Sequence, residues 1–331
     1  MQSVVNVLSR SCAPFLVLAA VACAGGEVVS GQLDGRSLPA SYRAGDLIDT
    51  STGRIVSFEE LMARLRSQEV VYLGEEHHNR YHVEAAVALL NRLTAEGRRP
   101  VLAMEMFDWE SQAALDRYVG GDDLSRQEFL AQVAWPQVWG GPFEDYEPLV
   151  DNAKSARLRL ASLNPPKPLI RLVARKGLEQ ARREDEWTRW NMRDETVVDD
   201  PAYREKILQQ LRACHDGGPE ELFQTMYEAS MVRDEGMAKT IVSLVNALRA
   251  APEPDGGPVV SYTGGGHIQY NLPVPRRVAR RLSGTVRQVS VYMTSFEQDR
   301  LDDLHEMTAG RIADYIWLTG VGAQGPPRRC R

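Results

Sequence analysis

Four cysteines occur in 331 residues, at positions 12, 23, 214 and 330, and no two of them form a CxxC pair. That spacing excludes a zinc ribbon and a dense disulfide framework. The chain also lacks GxSxG, a Walker A loop and HExxH. Any catalysis would therefore rest on a bound metal or on Glu and His side chains. Basic residues number 39 against 45 acidic ones, for a net charge of −6 and a pI near 5.7. A general nucleic-acid binder would carry a basic excess, so nucleic acid is not an expected partner. Repeats of solenoid length and low-complexity segments are absent as well.

A membrane-spanning run is also missing near the start, where one would be sought. "MQSVVNVLSR" carries one basic residue, Arg10, and leads into "APFLVLAAVACAGG", whose apolar core of about ten residues falls short of the ~20 a spanning helix needs. Residues 1–22 read as an export signal. The small residues Ala20 and Ala22 before Cys23 resemble a bacterial lipobox, with Ala20 where leucine is usual. Cys23 is then the mature N-terminus and the lipid attachment point, holding the protein at a membrane surface in the cell envelope, outside the cytoplasm. The other reading is a plain cleaved signal with Cys23 incidental. Residues 23–45 have no apolar period and serve as a tether, and 323–331 form a C-terminal tail.

What is present is a chain 43% hydrophobic, long enough for a large core. From about Gly45, short apolar runs alternate with helical patterns. Strands are predicted at 69–73, 100–106, 158–163, 258–263, 286–293 and 313–318. Their nearly continuous apolar character fits buried central strands. Between them, Val83, Ala86, Val87, Leu90 and Leu93 share one face of a helix over 82–95. Residues 166–256 contain no convincing strand and read as a helical insertion over the C-terminal edge of the sheet. The expected fold of residues 46–322 is α/β, with a mainly parallel sheet flanked by helices.

Ligands of open α/β sheets bind at the carboxyl ends of the strands. Four predicted strands end in Gly74-Glu75-Glu76-His77-His78, Glu105, Asn164-Pro165-Pro166 and Gly264-Gly265-Gly266-His267. Taken singly, Glu105 reads as a capping or salt-bridging group and Asn164 as a turn former. The Gly-x-x-His repeated at two strand ends is more informative. Glycine permits a sharp turn and close backbone approach, and the histidine then projects over the sheet edge. Imidazole with carboxylate oxygens would suit Zn, Mn or Fe, so Glu75, His77, Glu105 and His267 form a candidate metal or hydrolytic set. His78 and His82, four apart, would share the first turn of a helix starting near Asn79. His215 and His305 receive no role.

"LGEEHHNRYH", "LAMEMFDWESQAALDRYVGG", the W…W…Y run at 135–146, "ASLNPP", "MVRDEGMA" and "YTGGGHIQY" together resemble the ChaN family of bacterial haem-binding lipoproteins. That family is grouped with the Tiki, TraB and erythromycin esterase proteins. The resemblance spans about 45–320, with Glu75, His77, His82, Glu105 and His267 on matching positions. Two positions depart: His78 stands where the family has aspartate, and Tyr81-His82 where it has a His-His pair. The resemblance implies an extracytoplasmic haem- or iron-related protein, with haem held by tyrosine and histidine support across a homodimer.

A helix over 219–250 carries a stripe through Phe223, Tyr227, Ser230, Asp234, Met237, Ile241 and Leu248. Tyr227 and Asp234 interrupt an apolar stripe, and a buried Asp234 needs a partner: an arginine, or the histidine-bearing edge if the helix covers it. The candidate haem contacts are thus His77, His82, Tyr227, Asp234 and His267. Trp109, Trp135, Trp139 and Phe143 either wall a flat-ligand pocket or belong to the core. Three readings stay open: a lipid-anchored haem binder, a metal-dependent hydrolase of Tiki-like type, and a scaffold whose histidines only stabilise loops.

Overall fold

The computed structural model describes residues 41–121, 124–215, 218–250 and 256–326. The export signal, Cys23, most of the tether and Cys330 lie outside these residues, and every statement below concerns the described ones. Eight strands form one sheet: β1 (Leu47–Asp49), β2 (Arg54–Val56), β3 (Val70–Glu75), β4 (Arg99–Asp108), β5 (Arg159–Asn164), β6 (Gly256–Gly264), β7 (Gln288–Ser295) and β8 (Tyr315–Thr319). Their order is β2-β1-β8-β7-β3-β6-β4-β5. The six predicted strands are β3 to β8, and every pairing among them is parallel. Pattern reading missed β1 and β2, a hairpin added antiparallel to β8. Each has three residues and β2 is largely exposed, so neither shows an apolar period.

The sheet is sandwiched between helices, which explains the continuous apolar runs. In β3, Val71 and Leu73 join the core that includes Val83, Ala86, Leu90 and Leu93 of the helix Arg80–Ala95. Val70 and Tyr72 point the other way, toward Met237, Ile241, Leu244 and Val245 of the helix Glu220–Ala250. Each such buried aliphatic side chain contributes roughly 1.5–3 kcal/mol relative to exposure. The Arg80–Ala95 helix starts where expected, since the Asn79 side chain accepts a hydrogen bond from the Tyr81 amide.

Between β5 and β6 the described chain is helical, with its longest element Glu220–Ala250. This helix has two jobs. Its second half is a flanking layer on the sheet, whereas its first half packs Phe223, Tyr227, Met231 and Val232 with Leu169, Trp187 and Tyr203 in a separate cluster. Only that first half belongs to a structure beyond the strand ends.

The crossover from β3 passes β6 to reach β4, and the crossover from β6 passes β3 to reach β7. Two adjacent strands therefore send their connections in opposite directions. Such a switch point opens a crevice at the carboxyl ends of the strands. β3 and β6 are the two strands that end in Gly-x-x-His.

Candidate functional site

Glycine at both motif starts has a steric reason. A Cβ on Gly74 would lie 2.5 Å from Ile268 Cδ1, and a Cβ on Gly264 would lie 2.8 Å from His77 Cε1. The imidazole of His77 thus rests on the backbone at the end of β6. Its Nδ1 is 2.6 Å from Glu75 Oε1. Glu75 is fixed in turn by hydroxyls of Tyr146 (3.1 Å) and Tyr262 (3.2 Å). A carboxylate held this way receives the Nδ1 proton and leaves Nε2 as the ring's lone-pair nitrogen. The His77 side chain is 44% exposed and meets Trp139 edge-on, with centroids 4.9 Å apart. Burial opposes its charged form, but the bond to Glu75 and the charges of Glu105 and Glu75 outweigh burial and raise its pKa.

His267 is held differently. Its Nδ1 lies 2.5 Å from Asp234 Oδ1 and its Nε2 3.3 Å from Glu105 Oε1. Asp234 also accepts from the Tyr203 hydroxyl at 2.6 Å, and Glu105 from the Gly264 amide at 2.7 Å. With a carboxylate at each nitrogen, the ring is best satisfied as an imidazolium. Burial alone would lower its pKa, but the charges of Glu105 and Asp234 overcome burial and push it up to about 10. Glu105, desolvated yet facing His267, His77 and Arg233, is held well below the usual carboxylate range. Asp234 therefore finds its partner on the sheet edge rather than in an arginine.

The His77 imidazole is bonded at one nitrogen and the His267 imidazole at both. This pairing lends no support to the Zn, Mn or Fe centre expected at Glu75, His77, Glu105 and His267. Among the described residues no three His, Cys, Asp or Glu side chains converge as a metal site.

The model of a family described as "Haem-binding uptake, Tiki superfamily, ChaN" matches residues 61–278. The chain belongs to the ChaN family. Among solved structures, ChaN of Campylobacter jejuni with cofacially bound haem is similar at 19% identity and a TM-score of 0.61, covering 82% of this chain and 95% of that one. A Bacillus cereus protein (14% identity, TM-score 0.41, 72% and 69% of the two chains) and an erythromycin esterase variant in its open conformation (13%, 0.43, 76% and 76%) are more distant. No curated protein matches the sequence.

Two of the candidate haem contacts do not join the ChaN-type edge. His82 is fully buried, and its Nδ1 accepts from the Glu76 amide at 2.9 Å. Burial lowers its pKa to about 3. It is a neutral ring inside the protein, locking the turn after β3. Tyr227 is also fully buried and donates to Asp199 at 2.6 Å, with its ring against Tyr203. Seven residues from Asp234, it lies about 10 Å away along the helix axis. Nor do His78 and His82 share a helix face. His78 precedes the N-cap at φ 65°, and its Nδ1 lies 2.6 Å from Asp145 Oδ2.

The aromatic set divides. Trp135 and Phe143 pack with Phe107 and Phe129 in the core. Trp139 stays partly exposed beside His77, its Nε1 buried without a partner, and Trp109 donates to Thr240 at 3.0 Å. Sequence reasoning assigned no role to Tyr146, Tyr262 or Tyr203, the hydroxyls that orient the carboxylates. The first two sit in the quoted motifs, Tyr146 closing the W…W…Y run and Tyr262 opening "YTGGGHIQY". Tyr203 lies in a helix with no such mark.

Proposed function

We propose that this chain is an extracytoplasmic, lipid-anchored haem-binding protein of iron or haem uptake and handling. The observation that carries the reading is His77, whose Nδ1 is held by Glu75 while its partly exposed ring meets Trp139 edge-on. These residues fit a porphyrin. A half-exposed imidazole with an open nitrogen can hold haem iron, and the Trp139 face and the orphaned indole Nε1 supply an aromatic wall with a spare donor. Haem, when bound, would supply its iron as the coordinating centre, while Glu75 keeps the His77 ring in the required tautomer. Family membership and the haem-bound Campylobacter relative support the same assignment. That relative's cofacial haem also motivates a homodimer here, with two edges facing one another.

Export is supported by the signal-like start. Anchoring rests on Cys23. Titration of the purified protein with haem tests the cofactor. A saturable Soret band at stoichiometric haem is expected, and its absence would refute the assignment. Sedimentation of the same sample with and without haem reads out the dimer.

A further inference from the structure

The amino ends of β4, β5 and β6, opposite the Gly-x-x-His loops, border an open cavity of about 550 Å³. Its size is that of a small-molecule site. It lies between the end of the helix Gln112–Gly120 and the end of Glu220–Ala250. Arg99 stands six residues before Glu105 on β4, so roughly 20 Å of strand separates this cavity from the histidine-bearing edge.

Three arginines line it: Arg99, Arg157 and Arg159. Arg159 is in register with Val101, and residues two apart on a strand share a face, so Arg99 and Arg159 project on the same side of the sheet. Arg157 sits at φ 52°, a backbone region that suits glycine or asparagine better than a long side chain. Among the described residues none of the three guanidiniums has an ion pair or a hydrogen bond. The single acid on the described lining, Asp116, accepts from Gln112 at 2.8 Å. Other arginines at this end of the sheet are paired, Arg66 with Glu96 at 2.9 Å and Arg249 with Glu69 at 2.8 Å. In a chain of net charge −6, three unpaired guanidiniums around one cavity form a local basic patch against the average.

Much of the remaining wall is apolar, with Val119 from one helix and Leu248 from the other. A cationic mouth over an apolar wall suits an anion with a hydrocarbon part. Guanidinium forks match phosphate oxygens, and a phosphate monoester brings nearly two negative charges where a carboxylate brings one.

We propose that this cavity binds a phosphate monoester carrying an apolar chain, with the phosphate on Arg99, Arg157 and Arg159 and the chain along Val119 and Leu248. The site stands independently of the haem reading.

Calorimetric titration of the purified protein with soluble dihexanoyl phosphatidic acid tests it. Saturable binding is expected, about tenfold tighter than inorganic phosphate and weakened by salt. Arg99→Gln combined with Arg159→Gln should weaken the ester at least about tenfold, and Leu248→Ser should weaken the ester but not inorganic phosphate. Arg54→Gln, on β2 at the far edge of the sheet, is the charge control, and thermal unfolding checks the fold of each variant. Flotation with phosphatidylcholine vesicles, with and without phosphatidic acid, separates the sources. Capture that the double variant loses supports a headgroup within a membrane, and soluble binding without capture supports a free ester. No saturable binding of the soluble ester, or binding that the double variant keeps, would overturn the site. Inorganic phosphate binding as tightly as the ester would overturn the apolar half of the assignment.

Discussion

His267 Nδ1 and Asp234 Oδ1, 2.5 Å apart, join the end of β6 to the middle of the helix Glu220–Ala250. With Glu105 at the other nitrogen, this bond clamps the helical stretch to the sheet edge through a charged ring. Asp234→Asn should cost about 3 kcal/mol, because it leaves a buried imidazolium half-paired. The folded pKa of His267, about 10, lies above the ordinary 6.5. Its stabilisation is therefore fully present below pH 6.5 and lost as pH rises through about 10. Urea unfolding at pH 6, 8 and 10 should show wild type losing stability over this range and the variant losing less.

His82 acts with the opposite sign. Its folded pKa, about 3, lies below the ordinary 6.5, so the unfolded chain takes up the proton first. Stability then falls as pH drops from 6.5 to about 3. His82→Asn keeps an acceptor for the Glu76 amide and removes the titration. Its unfolding curve should be flatter over this acid range, even if its stability at neutral pH is lower.

His77→Ala should lower haem affinity at least about tenfold and shift the Soret band, with little loss of stability because the side chain is 44% exposed. Glu75→Gln, which weakens the hold on the ring, should fall between wild type and His77→Ala. An unaltered spectrum in both would remove His77 from the haem site.

Gly264→Ala places a methyl group where the His77 ring lies. About 1–3 kcal/mol of stability should be lost, together with haem binding, since the imidazole is displaced from its seat. Thermal unfolding and haem titration on one preparation separate the two effects.

Cys23→Ser should release the exported protein from the membrane fraction into the soluble one, checked by fractionating cells. Retention of the variant on membranes would refute lipid anchoring at this residue.

The parallel strands and the Gly-x-x-His edge were legible because burial on two faces leaves continuous apolar runs, and because ligand-bearing ends follow from strand direction. The division of labour within "GEEHH" was not. Glu75 turns to His77, while Glu76 accepts from Thr294 at 2.7 Å and from the Ser295 amide at 3.0 Å, tying the end of β3 to β7. Neighbouring acids look alike in sequence, and only the strand pairing separates them. Tyr227 misled for a related reason: a hydroxyl on an apolar stripe gives no sign of whether its partner is a ligand or Asp199.

The opposed crossovers of β3 and β6 fix the pocket floor to the hydrogen-bond lattice of the sheet. Adjacent strands sit about 4.8 Å apart whatever their connections do. Helices between β5 and β6 can lengthen, shorten or be exchanged without changing the interval between the two Gly-x-x-His loops. Ligand choice can drift with the roof while the floor stays in register.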